Sequence, residues 1–455
     1  MLSFRGVVAR EPSEQERLAP GPPISEPGAP GLLRAAAIDF GLLGRRREFR
    51  LLWLGQATTF FGSMLTYVAL PYQTYHLSHS SLVVGLLGLA ELAPLLFTAF
   101  VGGALADAID RRRMVLLTEL SLMAASGLLL GNALLPQPQL WFLFVGAALL
   151  AGLDGLQRPS LAALTPRMVK REELPAANAL ESLRGTLGMV LGPAVAGVLI
   201  ATLGLPSTYG VDIATFAVSL YCLRLMSAVA PPADAAAPSL GSIVEGLRYA
   251  ISRPELVGTY GVDMVAMFFG MPDALFPALA ARLGGAGVLG LLYAAPSLGA
   301  MLAALTSGWT ARVYRHGVAV LLAAAGWGLG IVLCGIANSA AVACIGLVIA
   351  GFADMLSGIF RSTIWDQTIP DRLRGRLAGI EQISYSTGPS LGNVEAGLVA
   401  SLAGVETSIV SGGILCVAAV PAVALLLPAF WRYDARAQTL ANEGRTAAAS
   451  EHDTT

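Results

Sequence analysis

Four carboxylates, Glu91, Asp263, Asp273 and Glu395, stand inside stretches of sequence that otherwise carry almost no charge. An ionised group is costly to hold where water cannot reach it, so such an acid is paired, turned towards a wet cavity, or neutralised by a proton. The chemistry these four offer is proton exchange. Glu181 and Asp354 have an arginine close by in the chain, Arg184 and Arg361, and read instead as structural or gating charges. A second pattern joins Gly103, Asp107 and the cations Arg111, Arg112 and Arg113. A third is made of small residues: Gly188 and Gly192, four apart and followed by Pro193 and Gly197. That spacing puts the first two glycines on one helix face, where another helix can come close, and the proline can bend the helix that carries them.

The residue types also exclude chemistries. The four cysteines, Cys222, Cys334, Cys344 and Cys416, are far apart and show no metal-site or disulfide spacing, so no metal is expected. There is no His-Glu-x-x-His and no phosphate-binding Gly-Lys loop, so no enzyme and no cofactor is expected. A formal net charge of -1 gives no reason to expect nucleic acid.

Apolar runs carry these residues. Of 455 residues, 55% are hydrophobic and 13% charged, with a mean hydropathy of +0.66; soluble domains carry about 25% charged residues. So few charges cannot cover a soluble fold of this size. Hydropathy predicts membrane helices at 51–75, 82–106, 114–135, 140–156, 177–203 and 209–226, then at 256–281, 288–310, 318–337, 341–359, 377–402 and 408–431. The short loops alternate in basic content. One set carries Arg111 to Arg113, Arg167 with Lys170 and Arg171, Arg312 with Arg315, and Arg372 with Arg374 and Arg376; the other carries only Arg282. Basic loops stay inside, so both termini are expected in the cytoplasm. Residues 1–50 read as a disordered Pro-rich tail, 51–226 and 256–431 as two six-helix bundles, 227–255 as a cytoplasmic linker holding an amphipathic surface helix, and 432–455 as a second tail.

The two bundles echo one another. Gly103 and Asp107 after the second helix have counterparts in Gly308 and Arg312 after the eighth; Pro166 and Arg167 match Pro370 and Arg372; Gly192-Pro193 matches Gly388-Pro389. Repeats of this kind build transporters whose substrate site lies between the halves near the midplane.

The stretch Gly103-Ala104-Leu105-Ala106-Asp107 ahead of Arg111-Arg112-Arg113 resembles the signature loop of the major facilitator superfamily, departing from it at Ala108 and Asp110. Three further stretches resemble that superfamily's bacterial enterobactin-exporter-like branch: Glu173-Leu174-Pro175-Ala176-Ala177-Asn178, Glu245-Gly246-Leu247-Arg248-Tyr249, and Ile369-Pro370-Asp371-Arg372. The resemblance implies an all-α fold of 12 transmembrane helices in two pseudo-symmetric bundles. It implies that the Gly103–Arg113 loop latches the bundles in one state. It makes Gly188, Gly192, Pro193 and Gly197 an incomplete antiporter motif, with alanine at 179 and 196 where glycine is usual. It also places Gln56, Thr59, Ser63 and Tyr67 of the first helix, with Met267, Phe268 and Met271 of the seventh, on a central cavity suited to an amphiphile.

The expectation is a monomeric, multi-pass transporter of a bacterial plasma membrane, embedded in lipid, that exports a drug, antibiotic or siderophore by alternating access and is driven by a proton gradient. A nutrient importer of the same fold, or a non-transporting membrane sensor, remains the alternative.

Overall fold

The computed structural model describes residues 38–108, 110–227 and 240–436, with side chains described at all of these except 99–108, 240–244, 246, 371, 372, 375, 376, 378–380 and 382. Twelve long helical elements follow one another among them. They are α1 (Arg47–Ser78), α2 (Ser81–Ala108), α3 (Arg111–Leu134), α4 (Leu140–Met168), α5 (Leu174–Leu203), α6 (Leu205–Arg224), α7 (Pro254–Phe269, resumed after a break as Phe276–Leu283), α8 (Ala286–Thr306), α9 (His316–Gly335), α10 (Ala340–Thr368), α11 (Asp371–Ala403) and α12 (Val405–Leu426). The described residues form no strand.

Among the described residues, nine of these elements are both long and apolar enough to cross a membrane. The other three, α1, α6 and α11, have the length but carry more polar residues. Packing explains the difference: α1 lies against α6 and α5, and α11 against α2 and α7, so much of their surface faces protein rather than lipid. On the outside the rule is reversed. Leu305, Leu402, Leu425 and Leu426 are 76–81% exposed, an arrangement that suits a hydrocarbon surrounding and would be a liability in water.

Several helices run past the apolar stretch that announces them. The fourth is expected to end at Leu156 but continues to Met168, and the tenth runs beyond Ile359 to Thr368. A hydropathy window sees only the part that must be dry, whereas backbone hydrogen bonding continues until a proline or an extended residue stops it: Val169 and Ile369 are both extended. The seventh helix departs further from expectation, since it is not continuous.

The repeat read in sequence is present in the packing. In the first half α1 packs on α5 and α6, α3 on α4 and α6, and α2 on α4; in the second α7 packs on α11 and α12, α9 on α10 and α12, and α8 on α10. Advancing every helix of the first set by six gives the second. The halves meet mainly through two pairs, α5 with α8 and α11 with α2, which the same operation exchanges.

Ion pairs and carbonyl contacts gather the basic loops of the first half at one end. Arg46 Nε bonds Glu173 Oε2 at 2.8 Å, Arg47 Nη2 donates to Leu225 O at 3.2 Å, and Arg112 Nε donates to Leu223 O at 2.7 Å. In the linker, the helix Leu240–Ile251 docks on the second bundle: Tyr249 donates its hydroxyl to Thr368 O at 2.7 Å, and Ala250 is buried with Leu373 and Leu377.

Candidate functional site

The break in α7 creates the most irregular backbone among the twelve elements. Gly270 and Pro272 cause it: glycine is a poor helix interior, and proline offers no N–H to continue the ladder. Helix α7 halts at Phe269, a short turn follows at Asp273–Leu275, and the chain resumes at Phe276. Three neighbours satisfy the freed backbone groups. Trp327 of α9 donates its indole N–H to Gly270 O at 3.1 Å, Tyr293 of α8 donates its hydroxyl to Asp273 O at 3.0 Å, and Asn393 of α11 accepts from Ala274 N at 2.9 Å. Broken backbone at membrane depth is tolerated where protein or a wet cavity surrounds it, and in transporters it is a common seat of binding.

Asp273 sits in this break and reaches across to the other bundle, where Tyr67 of α1 donates to its Oδ2 at 3.0 Å. The Tyr67 ring meets Tyr293 edge-on, centroids 5.2 Å apart, and Tyr293 meets Phe276 in the same manner at 5.0 Å. Tyr67 remains 45% exposed. The result is an aromatic and acidic cluster drawn from both halves, offering a hydrogen-bonding carboxylate beside ring faces. Glu91 on α2 and Glu395 on α11 are each half-buried.

Close backbone contact joins the halves at the same end of the molecule. A β-carbon on Gly290 of α8 would lie 2.8 Å from Gly197 Cα of α5, and one on Gly85 of α2 would lie 2.9 Å from the Asn393 carbonyl carbon of α11. These two contacts are the same contact. The shift that carries Gly103 to Gly308 also carries Gly85 to Gly290, and the shift from Gly192 to Gly388 carries Gly197 to Asn393. Gly397 adds to the seam, with its β position 2.8 Å from Leu82 Cα.

The second bundle holds a charged centre. Arg361 of α10, 4% exposed, forms an ion pair with Asp263 of α7, 6% exposed, and lies 3.6 Å from Asp354 of its own helix. Its guanidinium also stands 5.7 Å from the centroid of the Tyr385 ring on α11. Asp263 is therefore held by a cation, unlike Asp273.

The first bundle holds two buried acids that the sequence reading passed over. Glu119 of α3 accepts from Gln56 Nε2 of α1 at 2.5 Å. Asp212 of α6 accepts at Oδ2 from the hydroxyls of Thr66 and Ser126, at 2.6 and 2.8 Å. Each is 1% exposed. The signal that singles out Glu91, a lone acid in an apolar run, was available for both.

The remaining expected residues fall in several places. Gly103 and Asp107 lie on the last part of α2, and their side chains are outside the described residues, so the expected latch through Asp107 falls there too. Arg111 Nη1 reaches Ala163 O at 3.4 Å, Arg112 Nη2 reaches Arg224 O at 2.9 Å, and Arg113 N donates to the capping Oδ1 of Asp110 at 3.1 Å. These bonds stay within the first bundle and serve helix ends. Gly188 and Gly192 admit Phe60 and Met64 of α1, while Pro193 and Gly197 face Gly290. Of the expected cavity residues on α1, Tyr67 faces the other bundle, but Gln56 is turned inward to Glu119 and Thr59 is buried with its hydroxyl on Gly55 O at 3.1 Å. A helix whose polar residues occupy two faces cannot send all of them into one cavity. Ser63 is half-buried. Met267 packs against Gly388, Phe268 meets Phe269 edge-on at 5.0 Å, and Met271 is packed against the core.

Residues 43–453 match the family described as transmembrane secretion effector. The enterobactin exporter EntS of Citrobacter koseri is 31% identical over 382 residues, covering 83% of this chain and 90% of that protein; the Shigella boydii serotype 18 protein of the same name is 32% identical over 379 residues, covering 82% and 89%. Among solved structures, a POT family transporter in complex with 5-aminolevulinic acid aligns with a TM-score of 0.68 at 12% identity, over 85% of this chain and 97% of that one. The nucleoside transporter NupG aligns with 0.67 at 11% identity, over 85% and 99%. At these identities the structural likeness speaks for the fold alone.

Proposed function

We propose, from the premise that this chain belongs to the transmembrane secretion effector family of major facilitator transporters, that it exports a small amphiphile of the siderophore or drug type. The relatives named are transporters rather than enzymes, and the chain is a membrane-embedded carrier of a small molecule. The observation that carries the export reading is the similarity to enterobactin exporters across more than four-fifths of the chain. A polar, aromatic cluster at a broken helix between the halves supports it, because a catechol-bearing or otherwise ring-containing ligand finds stacking faces at Tyr67 and Tyr293 and an acceptor at Asp273.

Transport proceeds by alternating access. The close glycine contacts at the Gly197 and Gly85 end keep the halves together there, and rocking of one bundle on the other parts them and closes the opposite end. The energy comes from proton antiport, with no cofactor. The protein works as a monomer in a bacterial plasma membrane with both termini and the Arg111–Arg113 loop in the cytoplasm, as basic short loops require.

Everted vesicles containing the protein test this. With an imposed proton gradient, iron-free enterobactin or ethidium should accumulate inside, and a protonophore should stop it. Accumulation that ignores the gradient sinks antiport; accumulation only in right-side-out vesicles makes the protein an importer.

A further inference from the structure

Four helices of the first bundle bring polar groups to one buried place. Glu119 of α3 uses Oε1 to accept from Gln56 of α1, but its Oε2 is buried without a hydrogen-bond partner. Gln157 Nε2 of α4 and Ser219 Oγ of α6 are buried beside Glu119, close enough to donate to it but short of good hydrogen-bond geometry. Exposure is 1% for Glu119, 5% for Gln157 and 0% for Ser219. Gly55 leaves the room for Ser219, whose Oγ would lie 3.0 Å from a β-carbon there.

The charges around this place do not reach it. Among the described residues, none of the ion pairs includes Glu119. Arg111, at the start of α3, bonds Ala163 O; on α4, Arg158 and Asp154 pair with each other at 2.6 Å on a more exposed face; on α6 the facing titratable group is the thiol of Cys222. The facing groups on α1 and α4 are neutral amides. A carboxylate enclosed this way has only neutral donors around it and no cation, so burying its charge is costly and a proton removes that cost.

We propose that Glu119, with Gln56, Gln157 and Ser219, is a proton-binding site inside the first bundle, away from the central cluster. One proton removes the uncompensated charge. A carboxylic O–H at Oε2 donates to Ser219 Oγ, while Oε1 keeps its bond from Gln56; in the ionised state Ser219 Oγ and Gln157 Nε2 are the donors beside Glu119. The step is a simple protonation, in which the carboxylate takes a proton from water and later returns it to water, with no other bond made or broken. Glu119 lies eight residues from Arg111, about 12 Å along the helix from the basic-loop end, so that end is the side to which antiport releases the proton.

The site deepens the antiport reading and rests on it only for its consequence. Helix α1 carries both Gln56, bound to Glu119, and Tyr67, bound to Asp273 across the halves. Loading or emptying Glu119 changes the packing of α1 and so the strength of the contact between bundles.

Infrared difference spectroscopy on the full chain in lipid nanodiscs, titrated from alkaline to acidic pH, decides the matter without a substrate. Wild type should show a carboxylic-acid carbonyl band that Glu119→Gln loses and Glu119→Asp retains at a shifted position. Identical difference spectra for wild type and Glu119→Gln overturn the proposal. If Glu119→Gln fails to fold, the Asp variant alone decides, since an unshifted band excludes Glu119. Gradient-insensitive transport by wild type would end the antiport reading while leaving this spectral result to stand by itself.

Discussion

Gln157 and Arg361 hold the same place in the two halves, since the shift that carries Pro166 to Pro370 carries one to the other. Yet they serve opposite electrostatics. Arg361 neutralises Asp263 and approaches Asp354, giving the second bundle an interior in which buried charge is met by opposite charge. Gln157 brings a neutral amide beside Glu119, and the first bundle holds two buried acids, Glu119 and Asp212, whose bonded partners are an amide and hydroxyls. The lesson is that duplication preserves packing more faithfully than charge. The contacts that need small residues recur at matched positions, while the polar interiors have diverged: the second half pairs a buried acid with an arginine, and the first pairs its own with an amide and hydroxyls.

The largest effect that would break this comparison is at its charged member. Arg361→Met should destabilise the protein by about 3–5 kcal/mol, because it strands Asp263 in a buried site. Gln157→Met should cost no more than about 1 kcal/mol, the scale of a membrane-buried polar contact. Unfolding midpoints in mixed detergent measure both, and equal losses would mean the two halves are electrostatically alike.

Next come the matched seams. Gly197→Leu and Gly85→Leu each force a side chain into backbone of the other half, an overpacking worth about 1–3 kcal/mol against the closed end. Cysteine labelling near Ser81 and Ala286 should rise in both variants; a rise in only one would show that the contacts are not equivalent.

A change of similar size is expected from Tyr67→Phe, which deletes the hydrogen bond to Asp273 but keeps the ring packing. A bond to a carboxylate is worth about 1.5–3 kcal/mol, so the same labelling should shift by roughly ten- to a hundredfold. Asp263→Asn on the charged side should leave that labelling unmoved. The smallest effect belongs to Thr66→Val, which removes one of two hydroxyls from Asp212 and should cost about 0.6 kcal/mol in unfolding measurements. A loss as large as that of Arg361→Met would make Asp212 a charged keystone of the first bundle.

Much of the fold was legible in order. Apolar runs, basic loops and three repeated motifs foretold a membrane protein of two related six-helix halves, because hydropathy and small-residue spacing are local properties that each helix must satisfy by itself. Asp273 and Tyr67 also stood out singly, one as a lone intramembrane acid and the other as a polar aromatic on the first helix.

What the chain order could not determine was partnership. Asp263 and Asp273 look alike in sequence, ten residues apart on one predicted helix. Tertiary packing gave the first an arginine from α10 and the second a tyrosine from the opposite bundle, with a break in α7 between them. Glu119 is indistinguishable from Glu91 by hydropathy, but only the meeting of α1, α3, α4 and α6 shows that it is enclosed without a cation. Whether a buried acid is an ion pair, a cross-bundle clasp or a proton carrier depends on charges that arrive from distant helices. Electrostatic energy is set by distance in space, and the sequence orders residues only along the chain.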